Sequence, residues 1–250
     1  MATQSVEFAK VSFTPPGGSE VLRDISLRVE PGTTTALLGR SGSGKTTLLR
    51  TVNALVTPTS GRVLIGNSDV ATAEVIPLRR SIGYVIQENG LFPHINIARN
   101  VAMPLRLEDK LPIWEIAERS EQMLSLVGIN PVEFVARYPW QLSGGQRQRV
   151  GLARALIAEP KVLLMDEPFG ALDPLTRAEM QNMLRNLLRA VGVTTLIVTH
   201  DLDEALYLAD RVVLLEEGRV VADLAASEVR SSDIVAVRKY VAATRRSNAA

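Results

Sequence analysis

The sequence predicts an α/β fold: a mostly parallel sheet, an N-terminal antiparallel β layer and an inserted α-helical subdomain. Three observations carry that expectation. TTTALLG at 33–39, rich in β-branched and apolar residues, runs straight into a glycine-rich turn and then into the helical pattern KTTLLRTVNAL. Three later short apolar runs, IGYVI at 82–86, KVLLMD at 161–166 and TTLIVTH at 194–200, have the near-continuous hydrophobicity of strands buried on both faces, and helical patterns separate them. The first residues instead alternate apolar and polar side chains, in VEFAKVSF at 6–13 and ISLRV at 25–29, with PPGG at 15–18 as a turn between them.

The remaining elements follow in order. Between Pro93 and Tyr138 the composition shifts to helix formers, and WEIAERSEQMLSLVG at 114–128 spaces Ile116, Met123, Leu124 and Val127 along one face. Residues 93–159 are therefore expected as a helical subdomain within a core formed by 1–92 and 160–242 of a single domain. After His200 come a helix over DLDEALYLAD, a strand over RVVLLEE, a turn at Glu217 and Gly218, and a strand over RVVADL, a hairpin expected to close the fold. Residues 243–250 have little to bury and are expected to fray.

Composition narrows the function classes. With 250 residues, 46% of them hydrophobic, the chain can bury a sizeable core, as one large domain or two small ones. Lys plus Arg number 28 against 27 Asp plus Glu, a formal net charge of +1, which argues against a nucleic-acid partner held by bulk charge. The absence of cysteine excludes a disulfide framework, a thiolate metal site and a cysteine nucleophile, and permits a reducing compartment. Apolar runs such as VLLM at 162–165 fall far short of the roughly 20 residues a helix needs to cross a bilayer. MATQSVEFAK reads as a first strand rather than a signal peptide, so a cytoplasmic location is expected, with any membrane span supplied by a partner.

Three segments carry chemistry. In GRSGSGKT at 39–46, Gly39, Arg40, Ser41, Gly42, Ser43 and Gly44 form a phosphate-loop pattern, whose backbone N–H groups turn inward around an anion at a helix N-terminus. A side chain at Gly44 is expected to crowd the phosphates. Lys45 supplies a point charge to the β- and γ-phosphates, Thr46 a hydroxyl to Mg²⁺, and Thr47, next in the first helical turn, is counted with the nucleotide-binding residues. KVLLMDEP at 161–168 ends a strand in two acids, which face opposite ways unless the strand has already ended. Asp166 is then placed for the Mg²⁺ shell, and Glu167 for the attacking water as general base or orienting group. In QLSGGQRQRV at 141–150, Ser143 is a good N-cap, and Gly144 and Gly145, followed by Gln146, leave the first N–H groups of the helix uncovered as a second anion site.

With these residues in place, the chain resembles, over essentially its whole length, the nucleotide-binding subunit of an ATP-binding-cassette transporter, built on a phosphate-loop NTPase core. GRSGSGKT resembles the Walker A motif, LSGGQ the family signature, VLLMDEP the Walker B motif with its following glutamate, and ALD at 171–173, ending in Asp173, the D-loop. Gln87 matches the Q-loop glutamine that reaches Mg²⁺ and the attacking water, and His200 the switch histidine that contacts the γ-phosphate. The segments IGYVIQENGLFPHINIARNVAMPL and ARYPWQLSGGQRQRVGLARAL further resemble importers of osmoprotectants such as glycine betaine, choline and related quaternary amines. One departure stands out: where the family places an adenine-stacking aromatic ring before the first hairpin turn, this chain has Pro15, and Phe13 is read as core.

The resemblance implies ATP and Mg²⁺ as ligands and a head-to-tail homodimer or pseudo-symmetric pair of cassettes. Ser143 and Gly145 of one subunit would then touch the γ-phosphate held by Lys45 of the other. It also implies transmembrane permease subunits and, through them, an extracytoplasmic substrate-binding protein, with this chain peripheral on the cytoplasmic face of the membrane. The segment Glu88 to Asn96, with apolar Leu91, Phe92 and Ile95, is the expected permease contact. Chromosome-structure ATPases of similar motif content interrupt the halves with a long coiled coil, for which Thr47 to Gln141 has neither length nor heptads. Other single-cassette transporters, including amino-acid importers and lipoprotein or peptide exporters, and a soluble single-cassette ATPase remain alternatives.

Overall fold

The computed structural model describes residues 3–87, 90–170 and 172–247, with side chains through 244. A four-stranded antiparallel sheet is formed by β1 (Val6–Phe13), β2 (Leu22–Val29), β4 (Ser60–Ile65) and β5 (Ser68–Asp69), in the order β2-β1-β4-β5. A six-stranded sheet contains β3 (Thr34–Leu38), β6 (Ile82–Val85), β7 (Val162–Asp166), β8 (Thr194–Thr199), β9 (Arg211–Glu216) and β10 (Arg219–Ala225). Its order is β10-β9-β3-β8-β7-β6, parallel throughout except for the β9–β10 hairpin. The antiparallel layer and the mostly parallel sheet are both as the sequence leads one to expect, although β4 and β5 were not foreseen.

Strand alternation decides which of two cores each side chain enters. On β3, Leu37 joins the core shared with the antiparallel sheet and Leu38 the core shared with the helices. On β7, Val162 and Leu164 face the first and Leu163 and Met165 the second. Both faces being covered, these strands read in sequence as unbroken apolar runs. Helix α1 (Lys45–Val52) buries Leu48 and Leu49 between the sheets.

A short helix, α2 (Val75–Arg80), precedes β6, and four helices lie between β6 and β7: α3 (Ile97–Glu108), α4 (Ile113–Leu126), α5 (Pro131–Phe134) and α6 (Gly144–Leu156). Ile116, Leu124 and Val127 are buried and Met123 is half-buried, as the spacing predicts. The turn entering α3 is fixed by Asn100, which is fully buried. Its carboxamide accepts from the Phe92 N–H at 2.8 Å and donates to the carbonyls of Phe92, Ile95 and Asn96 at 3.0, 3.0 and 3.1 Å.

Beyond β7 come α7 (Pro174–Val191) and α8 (Leu202–Leu208). The β9–β10 hairpin does not close the fold: α9 (Val235–Ser247) follows it, so residues 243–247, expected to fray, continue a helix. The physical reason is that Val237 and Val241, one turn apart, are buried in the helical core and anchor α9 upstream of its polar end. No helix among the described residues is long and apolar enough to cross a membrane.

Candidate nucleotide site

Parallel register collects the chemistry at one edge. Leu38 pairs with Thr199, Asp166 with Val198, and Val85 with Met165, so β6, β7, β8 and β3 all end abreast. The residues that follow those ends are Gln87, Glu167, His200 and the loop Gly39 to Thr46. Carboxyl ends of parallel strands are where ligands bind in open α/β sheets.

The glycine loop delivers α1 with Gly44 at its N-cap at φ 98°, a left-handed conformation. A Cβ at Gly44 would meet the Leu22 side chain at 2.8 Å and the Val21 carbonyl at 3.0 Å. The glycine is required by the antiparallel sheet packed behind the loop.

Lys45 is buried, and its ammonium donates to the carbonyls of Gly39 and Arg40, both at 2.8 Å. Burial holds its pKa below the usual lysine range, opposed by the nearby carboxylates of Glu167 and Asp166. Ser43 is buried too, its hydroxyl without a hydrogen-bond partner among the described residues. Arg40, Ser41 and Gly42 are exposed on the loop, and Thr47 is half-buried on α1.

Thr46 and Asp166, 120 residues apart, meet: the threonine hydroxyl donates to Asp166 Oδ1 at 2.8 Å, and Arg50 approaches Oδ2 at 3.6 Å. Asp166 is 3% exposed and ends β7. Glu167 has left the strand, at φ 45°, its N–H donating to the Val198 carbonyl at 3.0 Å. The break in alternation lets two neighbouring acids act at one edge, Asp166 toward Thr46 and Glu167 toward His200, whose Nδ1 lies 3.4 Å from Glu167 Oε1.

These groups suit a Mg²⁺-bound polyphosphate. The orphaned Ser43 hydroxyl and the ammonium resting on two carbonyls are donors suited to phosphate oxygens. Thr46 and Asp166 offer the hard oxygens that Mg²⁺ prefers. Among the described residues no cluster of three or more His, Cys, Asp or Glu forms a metal site, so two protein oxygens would need substrate phosphates and water to complete an octahedron. Gln87 is exposed at the end of β6, with no side-chain bond to Thr46 or Asp166 among the described residues.

The signature residues lie elsewhere. Ser143 caps α6: its hydroxyl accepts from Gln146 N–H at 3.2 Å while Gln146 Oε1 accepts from Ser143 N–H at 2.9 Å, a reciprocal capping box. A Cβ at Gly145 would stand 2.6 Å from Thr176 Cγ2, so this glycine lets α6 abut the start of α7. Asp173 caps α7 by accepting from Thr176 N–H at 3.1 Å, and its bonds to Thr176 lower its pKa. Among the described residues no hydrogen bond or ion pair joins Ser143, Gly144, Gly145, Gln146 or Asp173 to residues 39–47. Ala171 of the expected D-loop, like Glu88 and Asn89, lies outside the described residues.

Two groups beside His200 were missed in the sequence. Glu204 on α8 is 6% exposed; burial pushes its carboxyl up to about 7, opposed by a hydrogen bond to Thr199 and the charge of Arg177. Tyr240 on α9 donates its hydroxyl to the His200 carbonyl at 2.7 Å. Neither sits in a recognisable motif; the i, i+4 spacing of His200 and Glu204 across a helix start was the available signal for the first.

A glycine loop, a buried lysine and paired acids at the carboxyl edge of a parallel sheet define a phosphate-loop nucleotide-binding domain. Residues 22–170 match the family model described as ABC transporter, and the chain belongs to that family. It is 44% identical over 219 residues to the carnitine transport ATP-binding protein OpuCA of Listeria monocytogenes, covering 86% of this chain and 54% of that one. It is 45% identical over 216 residues to the glycine betaine uptake system ATP-binding protein YehX of Escherichia coli, covering 86% and 69%. It is also 48% identical over 202 residues to the sulfate/thiosulfate import ATP-binding protein CysA of Mesorhizobium japonicum, covering 80% and 57%. The chain thus spans about half the length of several curated relatives it matches. Among solved structures, a dimeric ATP-binding cassette in a post-hydrolysis state bound to ADP and Pi superposes with a TM-score of 0.78 at 31% identity, covering 88% of this chain and 98% of that one.

Proposed function

We propose that this chain is the ATP-hydrolysing subunit of an importer for a quaternary-amine osmoprotectant such as glycine betaine, choline or a related compound. It would act from the cytoplasmic face of the membrane as one half of a head-to-tail cassette dimer. The observation that carries the hydrolytic part is the juxtaposition of Lys45, Thr46–Asp166 and Glu167–His200 at one sheet edge. In this reading the loop amides of residues 39–46 and the Lys45 ammonium hold the β- and γ-phosphates. Thr46 and Asp166, together with Gln87, would hold Mg²⁺, which would neutralise charge on the phosphate oxygens. Glu167 orients or deprotonates the attacking water, and His200 holds the γ-phosphate against it.

The second anion site, at Ser143 to Gln146, faces the partner's nucleotide in such a dimer, where Asp173 also lies. Because the γ-phosphate would bridge the two protomers, its removal by hydrolysis would reopen them. The ATP-binding cassette that is dimeric with ADP and Pi bound supports the pairing of two cassettes.

For the permease contact, the support is a groove of about 480 Å³ between α2, β6, α3 and α6. Ile76, Phe92 and Leu107, on its wall, are 65%, 41% and 57% exposed, whereas Leu91 and Ile95 are half-buried. Phe92 is thus the residue of the expected three that a permease helix would meet.

The substrate rests on the osmoprotectant relatives, and the sulfate relative supplies a second reading. Reconstitution with the cognate permease and receptor distinguishes them: glycine betaine or choline should stimulate ATP turnover, and stimulation by sulfate alone would replace the substrate assignment. For the site itself, Glu167→Gln should keep ATP binding and lose hydrolysis by roughly a hundredfold or more. Near-normal turnover in that variant rejects Glu167 as the group acting on water.

A further inference from the structure

We infer that Tyr240 is a positioning residue for His200, so that the C-terminal helix α9 sets the geometry of the hydrolytic edge. The inference rests on the reading of His200 as the residue that holds the γ-phosphate. The His200 side chain is 63% exposed, and its ring has one close polar neighbour among the described residues, Glu167 Oε1 at 3.4 Å. So exposed a ring is directed chiefly by the backbone that carries it.

That backbone is fixed on both sides. Thr199, the last residue of β8, accepts from the Asp201 N–H at 3.0 Å through its hydroxyl. Asp201 caps α8, its carboxylate accepting from the N–H groups of Asp203 and Glu204 at 2.9 and 3.1 Å. Between them, the His200 carbonyl receives no backbone N–H among the described residues; its donor is the Tyr240 hydroxyl at 2.7 Å. Burial and the charge of Asp201 push the Tyr240 phenol up to about 12, so it remains a donor at neutral pH.

The anchor is as well fixed as the turn it holds. Val237 and Val241 flank Tyr240 on one face of α9 and are 3% and 7% exposed, in the core that also contains Leu38 and Leu202. Leu38 ends the strand leading into the phosphate loop, and Leu202 opens α8. A shift of α9 would therefore be felt at the strand feeding the loop and, through one hydroxyl, at His200.

Tyr240→Phe in the full chain tests this, since it removes the hydroxyl and keeps the ring. The chain has two histidines, His94 and His200, so imidazole NMR signals report on the turn with an internal control. The expected result without nucleotide is a shift of the His200 ring signals with those of His94 unmoved. In steady-state hydrolysis kcat should fall about two- to tenfold, the scale of one neutral hydrogen bond, with KM for ATP unchanged within about twofold. Unmoved His200 signals, an unchanged kcat, or a rise in KM matching the fall in kcat overturns the inference. His200→Ala separates this from the underlying reading. Normal hydrolysis in that variant removes the role of His200 itself, whereas impaired hydrolysis there with an unaffected Tyr240→Phe removes only the positioning role.

Discussion

Replacing Glu204 with glutamine should make the protein more stable above about pH 4.5, by an amount that grows with pH and levels off above about pH 7. The carboxyl is buried, its Oε1 atom makes no hydrogen bond among the described residues, and its pKa rises from 4.5 to about 7, chiefly through burial. The folded protein therefore keeps a proton that the unfolded chain releases near pH 4.5. Between those values the native state binds more protons, so stability falls as pH rises. The contribution is fully present below about pH 4.5 and lost as pH passes through about 7. Integrated over that interval, the loss is about 3 kcal/mol, at about 1.36 kcal/mol per tenfold change in proton activity. Glutamine matches the protonated acid in shape and never ionises. The variant should match the parent within about 0.5 kcal/mol at pH 4.5 and exceed it by up to about 3 kcal/mol at pH 8. For a chain of this size that is roughly 6–12 °C in melting temperature. Thermal and urea unfolding of both proteins at pH 4.5, 6, 7 and 8, without nucleotide, gives the comparison. A stability difference that is flat with pH, or a variant less stable at pH 8, refutes the argument that burial outweighs the partners of Glu204.

Two further outcomes follow from the site. Lys45→Ala should abolish productive nucleotide binding, because the ammonium is the buried cation of the glycine loop; unchanged affinity in equilibrium binding of a fluorescent nucleotide removes the phosphate-loop assignment. Ser143→Arg should spare nucleotide binding to the monomer and block ATP-dependent dimerisation, since Ser143 is exposed at the start of α6 and away from Lys45's loop. Dimers that still form with ATP, read by light scattering in the Glu167→Gln background, contradict the shared-nucleotide arrangement.

Much of the nucleotide edge was legible because its residues are contiguous. Gly39 to Thr46 and Asp166–Glu167 each follow a strand that can be read from an apolar run, and parallel pairing then brings the strand ends together. What escaped depends on contacts between distant segments. The contact of position 44 with Leu22, from the antiparallel sheet, is one such case. The left-handed turn at Glu167 has no local marker such as glycine or asparagine, because it is held by Val198 on the neighbouring strand. The last residues of α9 read as a fraying end because the composition is polar after Ala243, whereas the anchoring valines lie upstream. The short strands β4 and β5 lacked a clean alternation to announce them.

The buried carboxamide of Asn100 makes the loop ahead of α3 a lever rather than a spring. With all four of its bonds going to Phe92, Ile95 and Asn96, the loop cannot peel from the helix without stranding several polar groups away from water. A force applied at the exposed Phe92 ring would accordingly travel into α3 with little give.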